Sequence, residues 1–215
     1  DLPEFPLAID RYAQHLHLQE FATAWEADDA TYDAWREDCF AVVGEVLGIP
    51  RDRIHFKQRR RQRGLSQYEK TGDTGEDFVV EEQGLEFWVN LDAYLDTGLF
   101  LDHRNTRRRV HECAAGTRFL NLFAYTGSFT VYAAAGGAVA SVTVDMSNTY
   151  QEWSRRNFLL NDMDLGRHAL VRADVFQFLA EANERGDRYD LIVMDPPSFS
   201  NSKKMQGILD VQRDH

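Results

Sequence analysis

Cysteine is scarce in this sequence: Cys39 and Cys113 are the two among 215 residues. They stand far apart in unrelated contexts, which excludes a disulfide framework and suggests no cysteine zinc site; no metal is expected. That usage fits a reducing, cytoplasmic setting. Long apolar runs are also missing. No stretch approaches the roughly 18 apolar residues of a membrane span, and the first residues lack the charged-then-apolar pattern of a signal peptide. Positive charge is in deficit, with 24 Lys and Arg against 35 Asp and Glu and a formal net charge of −11. A chain of that sign does not coat nucleic acid through its overall charge, so any such contact needs a local basic patch. What is present suffices for a packed core, since 43% of the residues are hydrophobic. One large domain, or one domain with a smaller attachment, is expected. The chain opens at Asp1 and closes at His215 on a polar, helix-compatible segment. Both ends read as cuts, so a piece of a longer protein is expected.

Residues 7–21 alternate, most clearly from His15 to Phe21, where every second residue is apolar; this predicts a hairpin with one buried face. Between 31 and 47, Tyr32, Trp35, Phe40, Val43, Val46 and Leu47 fall at helical spacings, and Gly48 and Pro50 end the run. Strand-like runs return from 54 to 91, with 77–82 and 85–91 separated by Gln83-Gly84. Residues 1–95 therefore read as an α+β accessory region. From 96 to 215 the character changes. Strands over 118–123, 141–145, 169–172 and 191–194 alternate with helices over 128–135, 147–161 and 175–183, which predicts an α/β, Rossmann-like parallel sheet with right-handed crossovers.

In such sheets ligands bind at the carboxyl ends of the strands. After the first strand comes Asn121-Leu122-Phe123-Ala124-Tyr125-Thr126-Gly127-Ser128, in which Gly127 permits a tight turn and close backbone approach and Ser128 can cap the next helix. By itself this is also an ordinary strand-to-helix turn. Asp145 ends the second strand about 20 residues later, where an acid can accept bonds from both hydroxyls of a ribose, with Met146 beside it. Asp174 follows the third strand and can accept from an adenine amino group, or can simply cap a helix. Together these positions describe an adenosine pocket. A nicotinamide dinucleotide would use the same architecture, but its G-x-G-x-x-G fingerprint needs three glycines and this loop supplies only Gly127.

The fourth strand runs directly into Asp195-Pro196-Pro197-Ser198-Phe199. Two consecutive prolines remove two backbone donors and fix φ, so the Asp195 carboxylate and the proline carbonyls form a rigid acceptor rim. Phe199 can stack on a planar base. The bland alternative is a strand-terminating Asp-Pro turn.

This string resembles the D/N-P-P-Y/F motif of methyltransferases that modify nitrogen atoms of bases. Asp195 to Lys203 and Val211-Gln212-Arg213-Asp214-His215, together with Asp1-Leu2-Pro3-Glu4, Asp10-Arg11-Tyr12, residues 94–104 and Asn121-Leu122-Phe123, are similar to the C-terminal half of the bifunctional bacterial 23S ribosomal RNA guanine methyltransferase family. The similarity covers essentially the whole chain. It implies a class I sheet using S-adenosyl-L-methionine and truncated after its fourth strand, a half that makes 7-methylguanosine, and a second methyltransferase half fused to it. It also implies weak or absent activity for this piece alone; the oligomeric state stays open. By the same resemblance the catalytic residues are Asp195, Pro196, Pro197 and Phe199. The cofactor contacts are Asn121, Phe123, Tyr125, Thr126, Gly127, Ser128, Asp145, Met146 and Asp174.

Gly98-Leu99-Phe100-Leu101-Asp102 also resembles a neighbouring family that makes 5-methylcytosine with a cysteine lying beyond His215; carbon methylation needs such a nucleophile. A noncatalytic RNA-binding module is the reading from another class. Asp102 and Arg104 lie near the cofactor in related enzymes, although an Asp-Arg pair clamping the accessory region to the sheet reads equally well. With an RNA substrate expected, Lys57, Arg59, Arg60, Arg61 and Arg63 read as a phosphate-binding run, and Arg104, Arg107, Arg108 and Arg109 as a second basic cluster.

Overall fold

The computed structural model describes residues 5–21, 27–59, 75–94 and 96–196. The chain divides into two compact units, Asp1–Glu76 with Leu91–Leu95, and Asp77–Asn90 with Asp96–His215.

The first unit opens with the hairpin read from its alternation, β1 (Leu7–Tyr12) and β2 (His15–Phe21), antiparallel and turning at Ala13 with φ +53°. Helix α1 (Asp29–Leu47) follows. Asp28 caps it by accepting from the Thr31 N–H at 2.8 Å, and Gly48 at φ +65° ends it. Strand β3 (Ile54–Arg59) then lies parallel to β2, giving the order β1-β2-β3. A strand between two neighbours is covered more fully than a hairpin arm. His17, on the expected open face of β2, is fully buried along with Leu16 and Leu18. Leu16, Leu18, Ile54, Ile49 and Phe40 make the core beneath α1.

The second unit begins with a second hairpin, β4 (Phe78–Glu82) and β5 (Leu85–Val89). Its two-residue turn has positive φ at both Gln83 (+55°) and Gly84 (+80°), a twist that matches antiparallel strands. The expected boundary at 95/96 assigned this hairpin to the accessory region; its packing puts it in the second unit. The bonds that hold it there come from a helix far along the chain, α4 (Asn148–Leu160), and the residue after it. Asn157 Oδ1 accepts from the Trp88 N–H at 2.9 Å, Asn161 Oδ1 accepts from the Glu86 N–H at 3.0 Å, and Trp153 Nε1 donates to the Trp88 carbonyl at 2.9 Å. These side chains satisfy a strand edge as a neighbouring strand would.

The rest of this unit alternates as expected: β6 (Arg118–Leu122), α3 (Ser128–Ala135), β7 (Ala140–Asp145), α4, β8 (His168–Arg172), α5 (Val175–Arg185) and β9 (Leu191–Met194). All pairings in this sheet are parallel and the order is β8-β7-β6-β9. Leu120, Leu122 and Val144 pack toward Val175, Phe178 and Ala182 of α5. On the other face Phe119, Leu191 and Val193 meet Phe129 and Ala133 of α3. Val110 and Ala114 complete that cluster from α2 (Arg104–Cys113) and the residue that ends it, a helix the periodicity did not suggest.

Helix α2 is fixed by a buried charge. Glu82 accepts from Arg107 Nε at 2.8 Å, a second Arg107 nitrogen at 3.0 Å, Arg104 Nε at 2.9 Å and the Tyr132 hydroxyl at 2.9 Å. The Arg107 side chain is 1% exposed. Of the second basic cluster, Arg107 alone is core; Arg104 is bound to Glu82 with its side chain half-exposed, and Arg108 and Arg109 are exposed.

Candidate active site at the strand tips

The order β8-β7-β6-β9 brings four chain segments side by side at the carboxyl end of the sheet. Asp174 follows β8, Asp145 ends β7, residues 123–127 follow β6, and Asp195 follows β9. These are the positions that the sequence marked as strand ends, and the fold gathers them on one side of the sheet.

The loop after β6 is held in an unusual backbone path. Phe123, Tyr125 and Gly127 all have positive φ, +54°, +52° and +71°. A left-handed non-glycine residue costs about 1–3 kcal/mol and persists only where its surroundings impose it. Here they do. Tyr125 N–H donates to Asp145 Oδ2 at 2.9 Å, Ser154 Oγ donates to the Tyr125 carbonyl at 3.1 Å, and Asn157 Nδ2 donates to the Thr126 carbonyl at 2.9 Å. Thr126 Oγ1 donates to the Gly98 carbonyl at 2.6 Å, while the Gly98 N–H donates to the Tyr125 hydroxyl at 2.8 Å. The Tyr125 ring lies edge-on to Tyr150, centroids 4.6 Å apart. Gly127 has the positive φ of the tight turn expected of it. Beyond its φ, a Cβ there would sit 2.8 Å from Phe158 Cε1, so the close approach is to α4. Gly127 is also the cap position of α3; Ser128 is the first helical residue and makes no capping bond.

Asp145 uses one oxygen for Tyr125 and the other for the Ser147 N–H at 2.8 Å. Burial raises its pKa, with the backbone bonds from Ser147, Tyr125 and Met146 opposing that rise. Each carboxylate oxygen still has a second lone pair, so acceptor capacity remains. Met146 turns its carbonyl toward Arg172 Nε at 3.2 Å. Asp174 caps α5 through Oδ1, which accepts from the N–H groups of Phe176 and Gln177 at 3.0 and 3.1 Å. That was the simpler of the two expectations for it, and it leaves Oδ2 without a bond among the described residues. Asn121 is fully buried; its Nδ2 donates to Thr130 Oγ1 at 3.1 Å and its Oδ1 has no protein partner among the described residues. It supports the β6–α3 junction from inside.

Asp195 is exposed and Pro196 half-buried, with the Asp195 N–H 3.4 Å from the Leu122 carbonyl. Pro197 and Phe199 lie outside the described residues. The 98–104 segment divides its roles in a way the sequence did not suggest: Asp102 is exposed and Arg104 turns to Glu82. The residue between them, His103, reaches the site, with Nε2 3.4 Å from Asp195 Oδ2. No spacing rule points to a histidine there. Its one signal is position, inside the motif that carried the resemblance.

In the first unit, Lys57 Nζ donates to the Tyr94 carbonyl, and beside it His55 Nδ1 lies 2.8 Å from Asp92 Oδ2. Arg59 ends β3. Arg60, Arg61 and Arg63 lie outside the described residues. A cleft of about 620 Å³ opens at the amino ends of the strands, among Leu85, Val131, Ala138, Met163 and His168. None of the expected site residues lines it.

The sequence model of the S-adenosylmethionine-dependent methyltransferases matches residues 49–212. The chain belongs to that family. This methyltransferase is 62% identical over its whole length to the ribosomal RNA large subunit methyltransferase K of Neisseria meningitidis, of which it spans 61%. It is 53% identical to the methyltransferase K/L of Chromohalobacter salexigens, of which it spans 29%. Among solved structures, SMU.776, a proposed methyltransferase complexed with SAH, is similar with a TM-score of 0.76 and 29% identity; 97% of this chain and 52% of that one are covered.

The residues present fit the family's methyl donor. A ribose offers two hydroxyl donors and an adenine an amino donor, while the tips of β7 and β8 offer two carboxylates with unused lone pairs. The fixed 123–127 loop lies between those acids and Asp195.

Proposed function

We propose that this methyltransferase transfers a methyl group from S-adenosyl-L-methionine to guanine N7 in 23S ribosomal RNA. The observation that carries the reading is the side-by-side arrangement of Asp174, Asp145, the 123–127 loop and Asp195 at neighbouring strand tips. The names of the relatives support a large-subunit RNA substrate. The K/L relatives, far longer than this chain, support fusion to a second methyltransferase half in a cytoplasmic protein.

In this reading Asp145 holds the ribose hydroxyls, Asp174 Oδ2 accepts from the adenine amino group, and Phe123, Tyr125, Thr126, Gly127, Ser128 and Met146 line the donor. Asn121 acts from behind the loop. When bound, the donor supplies an electrophilic methyl on a sulfonium. Guanine N7 carries an in-plane lone pair that is already nucleophilic, so the protein's task is alignment, worth about 7–11 kcal/mol in well-placed systems. The target base leaves its stack, rests on Phe199, and presents its amino edge to Asp195 and the Pro196 carbonyl. Lys57, Arg59, Arg60, Arg61 and Arg63 neutralise phosphates along the way.

The test is single-turnover methylation of 23S RNA by the wild type and Asp195→Ala, with the modified nucleoside identified. A 7-methylguanosine product formed at a much lower rate by Asp195→Ala is expected. A 5-methylcytidine product would move the protein to the neighbouring chemistry, and an unchanged rate would remove Asp195 from the mechanism.

A further inference from the structure

The roles above leave one side chain at the strand tips without a task. His103 ends the 3-10 turn Leu101–His103, and its ring stands edge-on to Phe129 of α3, centroids 5.6 Å apart at 72°. Among the described residues it is the one side chain at ion-pair distance from the Asp195 carboxylate. Neither partner is deeply buried: the His103 side chain is 33% exposed and that of Asp195 48%.

Three features make this more than a surface encounter. First, Pro196 and Pro197 carry no N–H, so the backbone just after the carboxylate has no donor with which to orient it. An aspartate in that position needs a donor from elsewhere in the fold. Second, His103 is mounted on a rigid base. The next residue, Arg104, and Arg107 one turn further on are both bound to buried Glu82, and Phe129 stands one residue into the helix that the 123–127 loop feeds. Third, the partners come from distant parts of the chain, His103 from the residue before α2 and Asp195 from the residue after β9, so their contact ties the rim to the frame.

We propose that His103 is a positioning residue: its Nε2–H holds Asp195 Oδ2, fixing the carboxylate so that Oδ1 and the remaining lone pair of Oδ2 meet the N1–H and amino donors of the flipped guanine. This rests on the reading of Asp195 given above. His103 touches neither the base nor the methyl donor; it removes the rotational freedom of the group that does. No proton is transferred. To donate to Asp195, the ring must carry a hydrogen on Nε2.

The test uses His103→Ala, His103→Gln, Asp195→Asn and the double variant His103→Ala/Asp195→Asn. Single-turnover rates are measured at saturating S-adenosylmethionine, alongside the affinity for that donor and the thermal midpoint. His103→Ala is expected to lower the rate about tenfold to a hundredfold, the scale of a small misplacement of a reacting group. Donor affinity and thermal midpoint should be unchanged. Gln, whose amide can donate at a similar reach, should restore most of the rate. In the Asp195→Asn background the alanine should add almost nothing, because the two residues act as one unit.

Nitrogen-15 NMR of the His103 ring provides a readout without RNA or cofactor: an Nε2–H pattern in the wild type, displaced by Asp195→Asn. An unaltered rate in His103→Ala, additive losses in the double variant, or an Nδ1–H ring would each overturn the proposal. If the wild type methylates no guanine, the proposed function fails first, and the NMR arm alone decides whether His103 holds Asp195. Should His103→Ala fail to fold, the glutamine variant and the NMR arm carry the same decision.

Discussion

Glu82 and Asp195 are two carboxylates of the same compact unit put to opposite uses. Glu82 is 4% exposed and accepts four bonds, two from Arg107 and one each from Arg104 and Tyr132. Asp195 is 48% exposed and, among the described residues, has a single side chain, His103, at ion-pair distance, 3.4 Å away. A buried carboxylate with all its lone pairs filled fixes the geometry of whatever supplies the donors, here the start of α2 and the middle of α3. A carboxylate with unfilled lone pairs at a strand tip can still accept from something that arrives. The frame and the exposed rim are thus built from the same chemical group, and the difference is how many donors the fold has already committed to it.

Breaking the saturated carboxylate should have the largest effect. Glu82→Leu strands the Arg107 guanidinium in the core, and losing one partner of a buried pair costs about 3–5 kcal/mol. Urea denaturation should read that loss directly, while Asp195→Ala, at an exposed position, should fall within about 0.5 kcal/mol of wild type. Equal midpoints for the two variants would erase the distinction.

Next in size is the platform beneath the rim. A Cβ on Gly98, at φ +98°, would meet Trp153 Cζ2 at 2.3 Å and the Trp88 carbonyl at 2.9 Å. Gly98→Ala is expected to cost more than about 2 kcal/mol, combining left-handed strain with overpacking. Gly84→Ala, at φ +80° with nothing within 4 Å, should cost the left-handed strain alone, about 1–2 kcal/mol. Thermal unfolding of the pair separates strain from crowding.

The acids also differ in the sign of their pH dependence. Burial raises the Glu82 pKa, but the bonds from Arg107, Arg104 and Tyr132 outweigh it and bring it below the ordinary 4.5. Its stabilisation is therefore complete above that pH and is lost as the pH falls through the folded value. Asp145, raised by burial above the ordinary 3.8, works the other way: its contribution is complete below that pH and is lost as the pH rises through the folded value. Stability against pH for Glu82→Gln and Asp145→Asn should show slopes that depart from wild type in opposite directions. Departures of the same sign would mean that one of the two environments is misassigned.

The smallest effect on stability belongs to the first unit. Replacing Arg59, Arg60 and Arg61 with Gln should leave the unfolding midpoint in place but flatten the salt dependence of RNA binding, by up to about 0.9 in log-log slope for each phosphate no longer neutralised. A steady slope would mean these arginines face away from RNA.

The strands β6, β7, β8 and β9 were legible because each is a short apolar run closed by a glycine-containing turn or an acid, and the crossover helices between them restrict the order. The placement of the acids proposed for the site was legible for the same reason, since Asp145, Asp174 and Asp195 mark strand ends. Helix α2 was hidden because Arg104–Cys113 is mostly polar or charged and its most buried side chain is Arg107, which any hydrophobic pattern scores as surface. The β4–β5 hairpin was found from Gln83-Gly84, yet its home was not, because Asn157 and Asn161, which secure it, lie 69 and 75 residues away from their partners. The tight turn at Gly127 was legible, but its second constraint was not, for a related reason: the atoms its missing Cβ would strike belong to Ser154 and Phe158. His103 escaped notice because its relation to Asp195 exists only after β9 has been laid beside β6.

Calorimetric titration of S-adenosylmethionine into the wild-type protein and into Asp145→Asn bears most directly on the strand-tip pocket. Saturable one-site binding is predicted for the wild type, weakened about tenfold or more when the acceptor at the tip of β7 loses its charge, as bonds to charged groups are worth about 1.5–3 kcal/mol. No saturable binding by the wild type, or equal affinity in the two proteins, would contradict the placement of the methyl donor at these four strand ends.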